Sequence, residues 1–410
     1  MSLSKPSSLG VIACPGGERF AEEIIKNLKT LFVKKFDRKV NNLSRRYEIP
    51  KEEIIRSFNL NADMHDPNIF ADGPVDSFRL PSFKINTKFT RFANGEFKAE
   101  ILDSVRGMDI YIIQDVENHY PLDSYTCGCT CCLSIADHVM NLFVTIDAVI
   151  QASARSVTVV VPTYPFSRQH RKKGREALTA SWFGRVLEYM GVARIITLDL
   201  HSKEIDNSFN RLRLENLHAS YQMVKKLSNL IDLDETELVV VSPDTGAVDR
   251  NKYYAGNLKS PLALLYKERD YSKVTQNADE NNITAMRLLG SVENKTVFMA
   301  DDLLGTGGTL IKAMKYLKEL GAREIIAAIS LPLFTGDAIK YFDEAYKKGY
   351  FYRVIGTNAV YHDDALLSRE WYVSANIANL FARTIYRNHH ERSLSSLLDD
   401  SEMIQRTLNR

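Results

Sequence analysis

The fold is decided by the stretch Val297-Phe-Met-Ala-Asp301-Asp302-Leu-Leu-Gly305-Thr306-Gly307-Gly308-Thr309-Leu310. An apolar run reaches two carboxylates, a glycine- and threonine-rich turn follows, and a helical pattern then begins. This order predicts a β-strand, a tight loop and the N-terminus of a helix. Such a loop presents backbone N–H groups at the positive end of a helix dipole, and its glycines let an anion approach the backbone. The stretch therefore predicts a phosphate site, with an ordinary strand-to-helix turn as the alternative.

Two acids next to this loop suggest that the ligand is a sugar phosphate. Asp301 and Asp302 are placed at the carboxyl end of the predicted strand, where open α/β sheets bind ligands. The ribose hydroxyls would bind these carboxylates. The phosphate would bind the loop residues Thr306, Gly307, Gly308 and Thr309. The stretch is neither a Walker loop, because no lysine follows the glycines, nor a G-x-G-x-x-G fingerprint.

The bulk properties are those of an ordinary globular protein. The 410 residues are enough for two domains, and 45% hydrophobic and 25% charged residues are usual proportions. A net charge of +2 gives no sign of nucleic-acid binding. The polar start lacks a secretory signal, and no apolar run of about 18 residues predicts a membrane span. We therefore expect a cytoplasmic protein without a membrane or nucleic-acid partner.

Four of the five cysteines crowd into one short stretch, at Cys127, Cys129, Cys131 and Cys132. Sparse cysteine elsewhere argues for a reducing compartment rather than a disulfide framework. The stretch could bind Zn²⁺ or an iron–sulfur centre, but its spacing is tighter than the usual C-x₂₋₄-C. A flexible insertion with small residues is the alternative.

A strand–loop–helix–glycine–strand unit occurs twice. The first copy has a strand at 157–162 and a helix at 178–190 that stops at Gly191. The second has a strand at 297–300 and a helix at 310–320 that stops at Gly321. The repeat predicts an α/β fold of two tandem related halves, each with a mainly parallel sheet flanked by helices.

The remaining pattern sets the predicted domain ranges. A helix is predicted at 20–36, and the pattern then weakens over 37–88, which we interpret as an insertion or irregular subdomain with a helical patch near 52–58. A second insertion is predicted at 119–133. The N-terminal half is placed at 8–203, the C-terminal half at 204–384, and a helical tail at 385–410.

Other strand ends and loops carry groups that suit a nucleotide and a cation. Asp199-Leu-His201 and Asp244 end predicted strands, and a histidine and an aspartate can hold a hard cation, although Mg²⁺ prefers oxygen ligands. Lys267-Glu-Arg269 ends a strand before a polar stretch at 270–282, so this cation pair could close over phosphates. Arg168 and Gln169 follow another strand end, while Phe92 offers a flat surface near the acceptor Glu96. Each of these residues alone also fits a purely structural or surface role.

Eight ordered motifs resemble those of ribose-phosphate pyrophosphokinases, which are also called phosphoribosyl pyrophosphate (PRPP) synthetases. The resemblance covers nearly all of the chain except the two insertions. It is carried by Arg91-Phe-Ala-Asn-Gly-Glu96, Asp103-Ser-Val-Arg-Gly107, Phe166-Ser-Arg-Gln-His-Arg-Lys172, Gly174-Arg-Glu176, Asp199-Leu-His201, Ser242-Pro-Asp244, Lys267-Glu-Arg269 and the 301–309 loop. It implies two phosphoribosyltransferase-type domains, and an enzyme that transfers the pyrophosphoryl group of ATP to C1 of ribose 5-phosphate with Mg²⁺, giving PRPP and AMP.

The resemblance also implies roles for individual residues. His201 and Asp244 would place Mg²⁺ on the ATP phosphates, and Lys267, Arg269 and His201 would be catalytic. Asp301, Asp302 and the 306–309 loop would bind ribose 5-phosphate. The ATP site would comprise Phe92, Asn94, Glu96, Arg168 and Gln169, with Phe92 and Glu96 reaching in from a neighbouring subunit. Family members are usually hexamers built from dimers, and Ser104 and Arg106 match positions near a regulatory site.

Three residues depart from the family pattern, because aspartate is usual at the positions of Asn94, His170 and Gly305. A non-catalytic regulatory homologue that assembles with an active synthetase is therefore one alternative to an active enzyme. The presence of Lys267, Arg269, His201 and Asp244 favours the enzyme. A PRPP-consuming phosphoribosyltransferase is a further alternative, but it would need only one such half.

Overall fold

The computed structural model describes residues 8–57, 81–122, 132–172, 174–269 and 283–408. Within these ranges the chain forms two compact units. Unit 1 comprises the described residues of Met1–Thr197, Ser202–Asn216 and Ala378–Leu397, and unit 2 comprises those of Leu198–His201, Leu217–Ile377 and Leu398–Arg410. The units interleave along the chain, whereas the predicted ranges 8–203, 204–384 and 385–410 are continuous and stay a prediction.

Unit 1 is built on a five-stranded sheet with the strand order β1-β4-β5-β6-β7. The pairs β1/β4, β4/β5 and β5/β6 are parallel. A separate antiparallel hairpin consists of β2 and β3. The strands are β1 (Leu9–Ala13), β2 (Thr87–Arg91), β3 (Phe97–Ile101), β4 (Asp109–Ile113), β5 (Ser156–Val160), β6 (Arg194–Leu198) and β7 (Arg213–Leu217). The helices that precede β7 are α1 (Glu18–Tyr47), α2 (Lys51–Ser57), α3 (Ile135–Gln151) and α4 (Thr179–Tyr189), and a short 3-10 helix spans Lys203–Ser208.

Unit 2 is built on a seven-stranded sheet with the order β10-β9-β8-β11-β12-β13-β14. Of the strand pairs that the structure describes in this sheet, the edge pair β9/β10 is antiparallel and the others are parallel. The strands are β8 (Leu238–Ser242), β9 (Leu262–Arg269), β10 (Ile283–Leu289), β11 (Thr296–Leu304), β12 (Glu324–Pro332), β13 (Arg353–Thr357) and β14 (Tyr372–Ala375). Its helices are α5 (Ser220–Leu230), α6 (Val248–Leu258), α7 (Gly308–Glu319), α8 (Ala338–Lys347), α9 (Asp364–Leu367) and α12 (Ser401–Thr407). The intervening α10 (Ala378–His389) belongs to unit 1, and α11 (Ser395–Leu398) lies at the boundary between the units.

The predicted fold class is confirmed. Strands β8, β11, β12 and β13 are buried along most of their length, as expected of parallel strands covered on both faces. The core of unit 2 is rich in aromatic rings. Phe342 stacks on Trp371 at 5.5 Å between centroids, and Phe334 meets Phe342 edge-on at 5.4 Å. This aromatic cluster lies beneath the start of α7 and gives the candidate site a rigid base.

Helix α1 is longer than the sequence pattern predicted. We expected it to end at residue 36, but it runs to Tyr47 and is followed by α2, which matches the predicted helical patch. Val40 of α1 and Ile54 of α2 are buried together, so the two helices form a small separate apolar cluster. The extension was missed because its apolar positions are few, although they keep helical spacing. Residues 58–80 of the predicted insertion lie outside the described part of the chain.

Candidate active site

Asp301 and Asp302 lie inside β11 rather than after it. Asp301 is in register with Ile329 of β12, and Leu303 is in register with Leu331. The strand therefore continues past its predicted end at residue 300, because parallel pairing with β12 continues through the acids. The Asp301 Oδ1 accepts a hydrogen bond from the backbone N–H of Asp302 at 2.9 Å. The two carboxylates thus form a fixed pair at the carboxyl end of the sheet.

His201 contacts this pair directly. Its Nδ1 lies 2.7 Å from Oδ2 of Asp302, whose side chain is only 16% exposed. His201 follows β6 but belongs to the same compact unit as β11. Since an ionised carboxylate only accepts hydrogen bonds, Nδ1 of His201 is the donor in this contact. The structure therefore joins the predicted catalytic histidine to the predicted ribose-binding acids.

Arg250 belongs to this site and was not identified from the sequence. It lies on α6, and its Nη1 is 2.9 Å from Oδ1 of Asp199 and 3.4 Å from Oγ of Ser330. The Nδ1 of His218 also donates to Oδ1 of Asp199, at 2.9 Å. The side chains of Arg250 and Asp199 are 22% and 5% exposed, so this is a largely buried ion pair. In the sequence, the signal that could have identified Arg250 was its position among the apolar residues of a short helix, where a cation is unusual.

The pKa values of Asp301, Asp302 and Asp199 are shifted in different directions. Burial, reinforced by the charges of Asp302 and Asp244, raises the pKa of Asp301 well above its usual range. Burial also acts to raise the pKa of Asp302, but the His201 hydrogen bond and the charge of Arg250 bring it below its usual value. Asp199 is buried too, yet Arg250 and His218 hold its pKa far below the ordinary value. Asp301 is therefore the acid whose ionisation a bound cation would assist most.

The charge of Asp244 contributes to raising the pKa of Asp301, and the Asp244 side chain also closes the turn that precedes α6. Its Oδ1 accepts hydrogen bonds from the backbone N–H groups of Gly246 at 2.9 Å and Ala247 at 3.0 Å, just before α6. Among the residues that the structure describes, no group of three or more histidine, cysteine or acidic side chains is arranged as a metal site. The assignment of a metal to His201 and Asp244 stays a prediction.

The glycine loop connects β11 to α7 and is shaped by the aromatic cluster. Gly307 has a φ of +76°, and a Cβ at this position would overlap the ring of Phe342. Glycine is therefore required there on both conformational and steric grounds. Gly308 begins α7, and a Cβ added to it would have no atom within 4 Å. There is therefore open space beside Gly308 at the start of α7, and the N–H groups of a first helical turn are the groups that an anion site uses.

The predicted flexible cations lie on the edge ribbon of the second sheet. The backbones of Lys267 and Arg269 on β9 pair with Met286 and Ile283 of β10. Their side chains and the predicted loop at 270–282 lie outside the described part of the structure. Their catalytic role stays a prediction.

Three predicted ATP-site residues lie at the tip of the β2/β3 hairpin. Phe92 is 47% exposed, and its N–H donates to the carbonyl of Glu96 at 2.8 Å. The Oδ1 of Asn94 accepts the N–H of Glu96 at 3.2 Å. Asparagine therefore supplies the local turn contact that an aspartate could also make, so this departure from the family pattern preserves the hairpin tip. The exposed ring of Phe92 is compatible with stacking on a base.

Arg168 and Gln169 are exposed on the loop after β5. The N–H of Gln169 donates to the carbonyl of Phe166 at 2.8 Å, which closes a turn. His170 Nδ1 lies 3.1 Å from the carbonyl of Ser167, and Arg171 Nε donates to Glu204 at 3.0 Å. In this structure His170 therefore stabilises the loop locally.

The predicted regulatory and cysteine residues are placed only in part. Ser104 and Arg106 are exposed in the turn between β3 and β4. Cys132 is exposed with a free thiol, while Cys127, Cys129 and Cys131 lie outside the described residues. Both interpretations of the cysteine stretch therefore stay open.

Comparisons with known proteins match both halves of this architecture. The family model of the N-terminal domain of ribose phosphate pyrophosphokinase matches residues 78–191, and that of the phosphoribosyl transferase domain matches residues 210–365. Ribose-phosphate pyrophosphokinase A of Dictyostelium discoideum is 33% identical over 76% of this chain and 89% of its own length. A ribose-phosphate pyrophosphokinase of Nostoc sp. is 33% identical over 75% of this chain and 84% of its own length.

A solved structure has the same fold. Phosphoribosylpyrophosphate synthetase from Mycobacterium smegmatis superposes with a TM-score of 0.67 at 23% identity, covering 94% of this chain and 100% of the other. The fold and site thus define a transferase with two phosphoribosyltransferase-type domains. The chain belongs to the ribose-phosphate pyrophosphokinase family. In the described part of the chain, no helix combines the length and apolar character needed to cross a membrane.

Proposed function

We propose that the protein transfers the pyrophosphoryl group of ATP to ribose 5-phosphate, giving PRPP and AMP for nucleotide biosynthesis in the cytoplasm. The C1 hydroxyl oxygen would form a bond to the β-phosphorus of ATP, and the bond from that phosphorus to the oxygen shared with the α-phosphate would break. The contact of His201 with Asp302, next to the open first turn of α7, is the observation that carries this proposal. The acid pair would bind the sugar hydroxyls and the helix end would bind the phosphate, which are the two functions that a sugar-phosphate site requires.

The chain's own groups would mainly position the substrates. The 306–309 loop would bind the 5-phosphate, and Asp301 and Asp302 would bind the ribose hydroxyls. Lys267 and Arg269 would neutralise charge on the transferring group, and the exposed Phe92 ring would stack on adenine with Asn94, Glu96, Arg168 and Gln169 around the nucleotide. Phosphoryl transfers depend on such positioning and charge neutralisation rather than on covalent help from the protein.

We propose that Mg²⁺ binds at the acid-rich edge of the second sheet. Burial, together with the charges of Asp302 and Asp244, raises the pKa of Asp301, and a bound cation would favour the ionised form of this acid. His201 and Asp244 would hold the ion, with Asp301 and Asp302 nearby. When bound, Mg²⁺ would neutralise charge on the ATP phosphates. We further propose a hexamer built from dimers, in which Phe92 and Glu96 serve a neighbouring subunit and Ser104 and Arg106 lie near a regulatory site.

A coupled AMP-release assay with ATP, Mg²⁺ and ribose 5-phosphate tests the activity. We expect AMP release that depends on ribose 5-phosphate. The double variant Asp301→Asn/Asp302→Asn should lose it and should bind ribose 5-phosphate at least tenfold more weakly by calorimetry, because each charged hydrogen bond contributes roughly 1.5–3 kcal/mol. Wild-type protein that releases no AMP would favour the regulatory homologue, and unchanged calorimetric affinity of the double variant would refute the sugar site.

Gly308→Ala is a narrower test of the phosphate site. We expect it to fold normally, since its methyl group enters open space, but to weaken ribose 5-phosphate binding by about tenfold because that space is where the phosphate would approach the helix. Gly256→Ala on α6 is the matched control, since a Cβ there also meets no atom within 4 Å. Equal affinities of the two variants would place the phosphate elsewhere.

A further inference from the structure

Two buried aspartates connect α5 to α6 at successive levels of unit 2. The first is Asp199, which accepts the Nδ1–H of His218 at 2.9 Å and the N–H of Ala219 at 3.2 Å, immediately before α5. The same carboxylate pairs with Arg250 on α6 at 2.9 Å. Asp199 therefore joins the residues at the start of α5 to α6.

The second is Asp400, which is 4% exposed and comes from the C-terminal segment. Its Oδ2 accepts the hydroxyl of Ser220 at 2.8 Å and the N–H of Tyr221 at 2.7 Å, while its Oδ1 accepts the hydroxyl of Tyr253 at 2.6 Å. The residue that precedes α5, Ala219, provides no side-chain cap. Asp400 thus supplies the N-terminal cap of α5 from a distant part of the chain, where a carboxylate is favoured by the helix dipole.

Asp199 and Asp400 bind successive pairs of residues at the start of α5 and successive positions on one face of α6. Residues 218 and 219, immediately before α5, bind Asp199, and residues 220 and 221 in the first turn of α5 bind Asp400. On α6, Arg250 binds Asp199 and Tyr253 binds Asp400, and these two positions share one face because they are three residues apart. Any change in spacing or rotation between the helices at the level of Asp400 therefore moves His218 and Arg250 against Asp199.

We propose that Asp400 is a positioning residue for the sugar-phosphate site. It clamps the first turn of α5 to α6, and so holds Arg250 against Asp199 and keeps Asn251 of α6 hydrogen-bonded to the backbone of Ala300, immediately before Asp301. This inference rests on the proposed function, because it requires that the acid pair of β11 binds ribose hydroxyls. Asp400 lies outside residues 210–365, the range that the phosphoribosyl transferase domain model matches. The role therefore belongs to the C-terminal segment and not to the matched domain.

Asp400→Asn tests the clamp with little change in side-chain volume. It replaces one acceptor oxygen by an NH₂ donor, which would face groups that now donate to Asp400. We expect the calorimetric dissociation constant for ribose 5-phosphate in Mg²⁺ to rise about tenfold, as for the loss of one charged hydrogen bond. Asp399→Asn is the matched control, because it removes the same charge from the adjacent position while Asp399 Oδ1 binds Ser401 at 2.7 Å. Its dissociation constant should stay near the wild-type value.

A second control separates positioning from simple loosening of the C-terminal segment. The Nε2 of Gln405 donates to the carbonyl of Asn257 at 2.9 Å, so Gln405→Ala weakens docking of the same segment away from the first turn of α5. It should lower the melting temperature but leave the sugar affinity unchanged at temperatures where all variants are folded. Asp400→Glu should restore part of the affinity lost in Asp400→Asn.

Four results would contradict this picture, and they distinguish failure of the positioning role from failure of the proposed function. Wild-type affinity in Asp400→Asn, or an equal loss in Gln405→Ala, would overturn the positioning role alone. Wild-type protein that does not bind ribose 5-phosphate would overturn the proposed function and the positioning role with it. If Asp400→Asn fails to fold, Tyr253→Phe removes a single contact of the clamp and should still raise the dissociation constant, whereas unchanged affinity would refute the role.

Discussion

Lys267→Ala is expected to lower turnover by roughly 10²- to 10³-fold, the usual result of removing one preorganised group from the transferring charge. Its affinity for ATP should change far less, because the contact is proposed to form mainly in the transition state. The backbone of Lys267 pairs with Met286 in the β9/β10 ribbon, so the substitution leaves the strand pairing intact. Steady-state kinetics of AMP release and equilibrium ATP binding separate the two effects.

The control for this variant is Arg287→Ala on β10, which removes a cation from the same ribbon at the position opposite Tyr266. If any positive charge on the β9/β10 ribbon supported catalysis regardless of its position, Lys267→Ala and Arg287→Ala would lose turnover equally. Normal turnover in Lys267→Ala would show that the assignment of this strand end to catalysis is wrong. A rise in the KM for ATP without a change in kcat would instead assign Lys267 to ground-state binding.

Arg250→Met should produce the largest loss of stability. It leaves Asp199 buried without its main counter-charge, and breaking one side of a buried ion pair costs about 3 kcal/mol or more of the free energy of unfolding. It also removes the positive charge that lowers the pKa of Asp302, so ribose 5-phosphate binding should weaken as well. Urea unfolding with an unchanged m-value and calorimetry of the sugar phosphate measure the two losses.

Arg353→Met is a matched control for Arg250→Met. Its side chain is 16% exposed, close to the 22% of Arg250, but its partner Glu370 is 73% exposed rather than buried. Solvent stabilises the carboxylate that remains, so the cost should be about 1 kcal/mol or less. Equal losses in the two variants would mean that arginine packing, and not the buried carboxylate, determines the effect.

The pH dependence of the Arg250→Met effect has a definite sign. Because the folded-state pKa of Asp199 lies far below its usual value of about 4, its ionised form stabilises the fold above that pH. This contribution is lost as the pH falls below about 4 towards the folded-state pKa. The difference in unfolding free energy between wild type and Arg250→Met should therefore be full at neutral pH and shrink in acid. A difference that stays constant with pH would mean that the pair contributes by packing alone.

Local pattern was sufficient where neighbours along the chain create the feature. The glycine loop before α7 and the repeated strand–helix–glycine units are of this kind, and both are present in the structure. The sequence predicted the wrong ends for β11 and α1, because those ends depend on pairing with β12 and on packing against α2. Such partners lie far away in the chain or contribute only a few apolar residues.

By itself the sequence determined the fold class, the two α/β halves, the family resemblance and the acids next to the phosphate loop, because each depends on periodicity or on residues in one short motif. Only the tertiary structure joined His201 to Asp302, placed Arg250 against Asp199, and brought Asp400 to the first turn of α5. These contacts join residues from different strands, helices and the C-terminal segment. Their ionisation depends on burial and on charges a few ångströms away, which the packed fold alone creates.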